Sequence, residues 1–174
     1  MRIYLIGYMG SGKSTLGTEL AQAFGISRID LDEEFELRYK ISITNFFTKY
    51  GENTFRELEN KLLLEFSTVP DIILSTGGGT PCFYGNMNLM NSSGITVYLS
   101  ATPELLLTRI GSSTRKRPLL KNLKGENTLQ KISQHLQSRI HYYEKANITI
   151  DALSPDVAQL KNTILLYMQA NSGE

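Results

Sequence analysis

Short apolar runs alternate along the chain with longer stretches whose apolar residues recur every three or four positions. Residues 2–6, RIYLI, are a continuous apolar run ended by Gly7, which predicts a buried strand. Residues 14–24 place Leu16, Leu20 and Phe24 four apart, a helix stopped by Gly25. A second strand is expected over 27–31 and a helix over 32–40. Two amphipathic helical stretches follow: 42–50 with Ile43, Phe46, Phe47 and Tyr50 on one face, and 54–66 with Phe55, Leu58, Leu62 and Phe66. Residues 71–76 read as a buried strand ended by Gly77-Gly78-Gly79, and 95–99 as another. Thr102-Pro103-Glu104 starts a helix, with proline in the first helical position, that runs to about Ile110. Leu129, Ile132, Leu136 and Ile140 mark a long helix, and 147–150 a last short strand. Ser154-Pro155 opens a C-terminal helix carrying Val157, Leu160, Ile164 and Met168. The polar tail, 171–174, is expected to fray. Strands separated by helices imply an α/β domain with a mainly parallel sheet.

Residues 111–125, GSSTRKRPLLKNLKG, break this pattern. They hold no period, and glycine bounds them on both sides. A connection of that length is expected to be functional, here a lid.

Composition narrows the picture little. A chain of 174 residues is expected to form one domain, 1–174, with a sizeable core. Its formal net charge of +1 supplies no global attraction for nucleic acid or acidic membrane, so neither is expected as a partner. Cys82 is the sole cysteine, which excludes an internal disulfide and a cysteine-based zinc site. The apolar run in MRIYLIGYMG is short for a signal segment, and no stretch approaches the ~20 apolar residues of a membrane helix. A cytoplasmic protein is expected, and nothing in the sequence requires more than a monomer.

The chemistry begins at Gly7-Tyr8-Met9-Gly10-Ser11-Gly12-Lys13-Ser14, a full match to G-x-x-x-x-G-K-[ST] lying between a strand and a helix. Glycines let backbone N–H groups converge on phosphate oxygens, and the helix N-terminus favours anions. Gly10, Ser11, Gly12, Lys13, Ser14 and Thr15 are the expected ATP contacts. Lys13 would reach the β- and γ-phosphates, and the Ser14 hydroxyl would ligate one Mg²⁺ ion bound with ATP. Small-molecule kinases, GTPase switches and motor ATPases share this loop. Asn60-Lys61-Leu62-Leu63 lacks the aspartate of a guanine-binding N-K-x-D, and the strand over 71–76 ends without the acid a motor ATPase would place there. A kinase remains.

Asp30-Leu31-Asp32 ends the second strand, beside the phosphate loop in an open α/β sheet. Strand alternation would turn both carboxylates to one site. One would hold Mg²⁺ through water, and the other would accept a hydrogen bond from a substrate hydroxyl. The plainer reading makes Asp32 the cap of the next helix, with Glu33 and Glu34 favouring its dipole.

With these blocks in view, the sequence resembles the shikimate kinase family almost from end to end. GYMGSGKST and IDLDEEFE resemble its phosphate loop and its Asp-x-Asp segment, and Phe55-Arg56-Glu57-Leu58-Glu59 its FRxxE stretch. Gly77-Gly78-Gly79 resembles its glycine triplet, Arg117-Pro118-Leu119-Leu120 its lid signature, and Arg139 with Tyr143 its R-x-x-x-Y motif. Order and spacing agree as well. The resemblance implies a three-layer P-loop NTPase fold with a five-stranded parallel sheet in the order 2-3-1-4-5, plus a lid. It implies transfer of the γ-phosphoryl of ATP to the 3-hydroxyl of shikimate, on the route to chorismate and aromatic amino acids. Its substrate-binding region would span about 32–60 and its lid about 111–125.

Roles follow residue by residue from the same resemblance. Asp32 would bind the reacting hydroxyl and act as base, and Asp30 would belong to the Mg²⁺ shell through water. Arg56 and Arg139 would hold the substrate carboxylate, with Glu59 orienting Arg56. Gly78 and Gly79 would offer backbone N–H groups, and Phe47 and Phe55 an apolar wall. Arg117 would reach the transferring phosphoryl group from the lid, and Arg109 would lie against adenine. A guanidinium fork suits a carboxylate, since two parallel bonds fix direction as well as charge. Plainer readings stand beside these. Arg56 would pair only with Glu52 or Glu59, the phenylalanines would be core, Cys82 a bystander, and His135 and His141 surface or packing residues. After the triplet, Thr80-Pro81-Cys82-Phe83-Tyr84 departs from the family's usual pattern, and 85–89 carries no charge. Rival functions are a kinase of gluconate or a nucleoside monophosphate, and an ATP-binding regulatory module without activity.

Overall fold

The computed structural model describes residues 1–111 and 128–171; apart from Gly111, the expected lid and its Arg117 lie outside them. Five strands, β1 (Arg2–Ile6), β2 (Ser27–Asp30), β3 (Ile72–Ser75), β4 (Ile95–Ser100) and β5 (Ile148–Asp151), form one sheet in the order β2-β3-β1-β4-β5. All four pairings are parallel. Strand β1 is central and covered on both faces, which is why it reads as an unbroken apolar run.

Alternation along β1 sorts its side chains into two cores. Ile3 and Leu5 pack under α1 (Lys13–Phe24) and α7 (Val157–Asn171), against Leu16, Leu20, Leu160 and Ile164. Tyr4 and Ile6 face the other core, filled from α2 (Leu31–Tyr39), α3 (Ile43–Phe66), α4 (Asn86–Ser93), α5 (Pro103–Gly111) and α6 (Thr128–Tyr143) by residues such as Phe35, Leu62, Met90, Leu106 and Ile132. Each such side chain contributes about 1.5–3 kcal/mol on full burial. The resulting helix–sheet–helix layering brings the carboxyl ends of all five strands to one edge. There β1 runs into Gly7, β2 ends at Asp30, and β3 leads through Thr76 into the triplet.

Punctuation residues behave as their chemistry requires. Gly25 takes φ 68° and its N–H closes α1 onto the Ala21 and Gln22 carbonyls. The two amphipathic stretches expected over 42–66 form one helical run bent at Gly51, whose φ of 80° suits glycine. Helix α7 starts two residues beyond Ser154-Pro155, where the Asp156 carboxylate accepts from the Gln159 N–H at 2.9 Å. Helix α4 was not legible in the sequence. NMNLMNSS contains weak helix formers and has no side-chain cap at Gly85. Tertiary contacts hold it: Met87 and Met90 are buried, and the Asn86 amide donates to the Thr80 carbonyl at 2.9 Å while its oxygen accepts from Asn60 at 2.7 Å.

Candidate active site

A cleft of about 730 Å³ opens at this edge, walled by the phosphate loop, Asp30, Asp32, Thr76, Gly78, Arg109 and the segment Ala152 to Pro155. The loop is shaped by its glycines. Gly7, Gly10 and Gly12 take φ of 140°, 83° and 100°. A side chain on Gly7 would also sit 2.8 Å from the Leu99 carbonyl. Lys13 is buried, and its ammonium donates to the Gly7 and Tyr8 carbonyls at 2.8 and 2.9 Å. The buried Ser11 hydroxyl has no hydrogen-bond partner, an orphan polar group inside a cradle suited to an anion. Arg109 lines the cleft, with its guanidinium donating to the Ser11 and Ala152 carbonyls at 2.9 and 2.8 Å. It ties the phosphate loop to the β5–α7 connection.

The acidic pair is arranged differently from the strand-alternation argument. Asp30 ends β2, whereas Asp32 lies in the first turn of α2. Both line the cleft because the chain turns between them. The cap of α2 is Asp30, not Asp32: its Oδ1 accepts from the N–H groups of Asp32 and Glu33 at 3.1 and 3.4 Å. Its Oδ2 accepts from the Ser14 hydroxyl at 2.5 Å and from Arg28 at 3.1 Å. Ser14 and Asp30 therefore place two oxygens together beside the phosphate loop. Asp32 is left to face the triplet, where a Cβ on Gly77 would lie 2.8 Å from its Oδ1 and 2.9 Å from Glu59 Oε1.

Behind the triplet sits a buried charge network. Arg56, 5% exposed, donates to Glu59 Oε2 at 2.7 Å and to Glu52 Oε1 through two nitrogens at 3.1 and 3.2 Å. Burial alone would lower its pKa, but Glu59 and then Glu52 more than offset this and raise it. Glu59 is itself buried and also accepts from the Thr80 hydroxyl at 2.6 Å. Both Arg56 ion pairs exist, the one to Glu59 inside the molecule and the one to the exposed Glu52 at its edge. Phe83, Phe55 and Phe47 back the guanidinium, with ring centroids 4.5, 5.1 and 6.0 Å away. Phe55 is core as well, packed on Phe35 and Phe46, while Phe47 is half-buried against it. Gly79 approaches so closely that a Cβ there would lie 2.7 Å from Arg56 Cζ. Among the described residues no acceptor takes the Gly78 or Gly79 N–H.

Arg139 differs in kind. It is 8% exposed, yet among the described residues no carboxylate forms an ion pair with it. It lies over the Tyr8 ring, 6.0 Å from the centroid. An enclosed guanidinium without a carboxylate is costly unless a ligand supplies one. One turn along α6, the Tyr143 hydroxyl donates to the Gly78 carbonyl at 2.5 Å, fixing the triplet. His141 is exposed and stacks on Tyr142.

Some participants had no sequence signal. Ala152 to Pro155 carries no motif and reaches the cleft only because β5 is paired to β4. His135, read as a surface or packing residue, hydrogen-bonds through Nδ1 to the Tyr8 hydroxyl at 2.7 Å. Cys82 is half-buried. Burial raises its thiol pKa, against the downward pull of Arg139 and Arg56. Among the described residues no three acidic, histidine or cysteine side chains cluster as a metal site, and no helix is long and apolar enough to cross a membrane.

This arrangement can be set beside known proteins. A model of the family described as shikimate kinase matches residues 9–169. The shikimate kinase of Parabacteroides distasonis is 43% identical over 168 residues, covering 94% of this chain and 97% of that relative. The crystal structure of shikimate kinase from Bacteroides thetaiotaomicron superposes with a TM-score of 0.85 at 37% identity, over 98% of this chain and 97% of that one. Shikimate kinase from Acinetobacter baumannii, solved in complex with shikimate, gives a TM-score of 0.83 at 34% identity, covering 99% of this chain and 95% of that one. Strand order, phosphate loop and match along nearly the whole length agree, and the chain belongs to the shikimate kinase family.

Proposed function

We propose that this chain transfers the γ-phosphoryl group of Mg·ATP to the 3-hydroxyl of shikimate, giving shikimate 3-phosphate and ADP on the route to chorismate. Arg139 is the observation that carries the reading. A buried guanidinium without a described carboxylate partner, a second guanidinium at Arg56 and an acidic acceptor at Asp32 suit a small hydroxylated carboxylate. The family's Acinetobacter baumannii member, solved with shikimate, supports the same substrate.

The roles divide by the ends of the reaction. Gly10 to Thr15 cradle the phosphates, and Lys13 exchanges its loop carbonyls for phosphate oxygens. Ser14 and, through water, Asp30 would hold the Mg²⁺, which when bound neutralises charge on the β- and γ-phosphates. Arg109 lines the nucleotide side. On the acceptor side Arg56 and Arg139 grip the carboxylate, Glu59 aims Arg56, and Gly78 and Gly79 offer their N–H groups. Phe47 and Phe55 complete the wall behind the ring. Asp32 accepts the hydroxyl proton as the oxygen bonds to γ-phosphorus and the bond to ADP breaks. Arg117 is assigned to the transferring phosphoryl group. A lone cysteine suits a reducing cytoplasm.

An ADP-release assay with Mg·ATP tests the reading, comparing shikimate, gluconate, AMP and no acceptor. Turnover is expected with shikimate alone. Turnover with another acceptor would break the carboxylate assignment, and turnover without one would replace the kinase reading by an ATPase.

A further inference from the structure

His135, Arg139 and Tyr143 follow one another at four-residue intervals on α6 and so share one stripe of its surface. Each reaches across the site. Tyr143 holds the Gly78 carbonyl, Arg139 lies over the Tyr8 ring, and His135 Nδ1 meets the Tyr8 hydroxyl. Tyr8 belongs to the phosphate loop and is buried, with its ring edge-on to the imidazole at 5.5 Å and 82°. One aromatic ring therefore joins the nucleotide side of the site to Arg139.

That ring must be held in place by something. The Arg139 guanidinium lies over the ring face, 6.0 Å from the centroid, so the place of the ring limits where the guanidinium can sit. The hydrogen bond at the far end of the ring is directional. The charge state of both partners follows from the surroundings. Burial, then Arg139, lowers the His135 pKa, with Arg56 acting the same way and Glu52 opposing. Burial raises that of Tyr8, against Arg139. Both groups are therefore neutral at neutral pH, and with the imidazole proton on Nε2 the phenol donates to Nδ1.

We propose that His135 is a positioning residue for the acceptor half of the site: by accepting the Tyr8 hydrogen bond it fixes the ring that backs Arg139, and so aims that guanidinium at the substrate carboxylate. The inference rests on the reading of Arg139 as a carboxylate ligand. His135 itself touches no reacting atom, so its effect belongs in acceptor binding.

The test measures shikimate Kd by calorimetry, together with kcat and both KM values, on the full chain. His135→Leu removes the acceptor and Tyr8→Phe the donor. Each is expected to raise shikimate Kd and KM about fivefold, a misaimed Arg139 costing less than the roughly 30-fold of a deleted one. For His135→Leu the KM for ATP and kcat should stay within about twofold, the pattern of lost ground-state binding. The double variant should be no worse than either single one, because both remove the same bond. His135→Asn, whose amide oxygen can stand where Nδ1 does, should recover most of the affinity. Unchanged shikimate Kd in both single variants overturns the proposal, as do equal losses in kcat and ATP KM without rescue by Asn. Should His135→Leu fail to fold, Tyr8→Phe, which keeps the ring, decides alone. A wild-type chain that binds no shikimate overturns the carboxylate reading and this inference together; binding that both variants leave intact overturns only the inference.

Discussion

The two halves of the cleft are built on different principles. The half we assign to the nucleotide is made from consecutive residues, Gly7 to Ser14, and offers backbone N–H groups, a helix end and positive-φ glycines. The half we assign to the acceptor combines side chains on α2, α3 and α6 with the backbone of the triplet, held by a buried ion pair and aromatic rings. A phosphate is met by geometry that a short segment can supply alone. A hydroxylated carboxylate needs charges at fixed separations, which only packed elements can keep. Within that half the two arginines differ again: Arg56 has a buried counter-charge in Glu59 and an exposed one in Glu52, and Arg139 forms no ion pair among the described residues.

Asp32→Asn should separate the halves most sharply. Loss of the base is expected to lower kcat by about 10³-fold while ATP Kd stays within twofold. Calorimetry and single-turnover kinetics check both, and kcat within tenfold of wild type would remove Asp32 as the base. Next comes the contrast between the arginines. Arg56→Ala and Arg139→Ala should each raise shikimate Kd roughly 30-fold, as loss of a charge-assisted bond implies. Only Arg56→Ala leaves a buried carboxylate, Glu59, without its cation, and this should cost about 3–5 kcal/mol of folding stability. Thermal and urea unfolding read this directly, and equal destabilisation would erase the distinction. The smallest effect is steric. Gly79→Ala drives a methyl into Arg56 and should raise shikimate KM about tenfold without touching ATP, because small displacements of a binding group are expensive. Gly78→Ala presses instead on the Met9 backbone nitrogen, 3.0 Å away, and should impair both substrates. Identical kinetic signatures would show that the triplet acts as one unit.

How far the sequence could be read followed the range of the interactions. The five strands, the phosphate loop and the helices with strong apolar period stood out because neighbouring residues decide them. Helix α4 did not, since weak formers are held there by Met87, Met90 and the Asn86–Asn60 bond. Asp30 and Asp32 were recognised as a pair, but which of them caps α2 was not. Which carboxylate caps α2 depends on where β2 stops, a matter of one residue. His135 looked like a packing residue because its partner, Tyr8, is remote in sequence.

By itself, then, the sequence determined the α/β alternation, the phosphate-binding chemistry and the set of charged residues available for an acceptor. Hydrophobic period, glycine backbone freedom and motif spacing are local properties, written in consecutive residues. Only the tertiary structure decided which charges meet. It enclosed Arg56 between Glu59 and Glu52, left Arg139 over Tyr8, and brought Ala152 to Pro155 into the cleft wall. These outcomes depend on strand order and helix packing, where burial makes a charge bind or pair according to neighbours far along the chain.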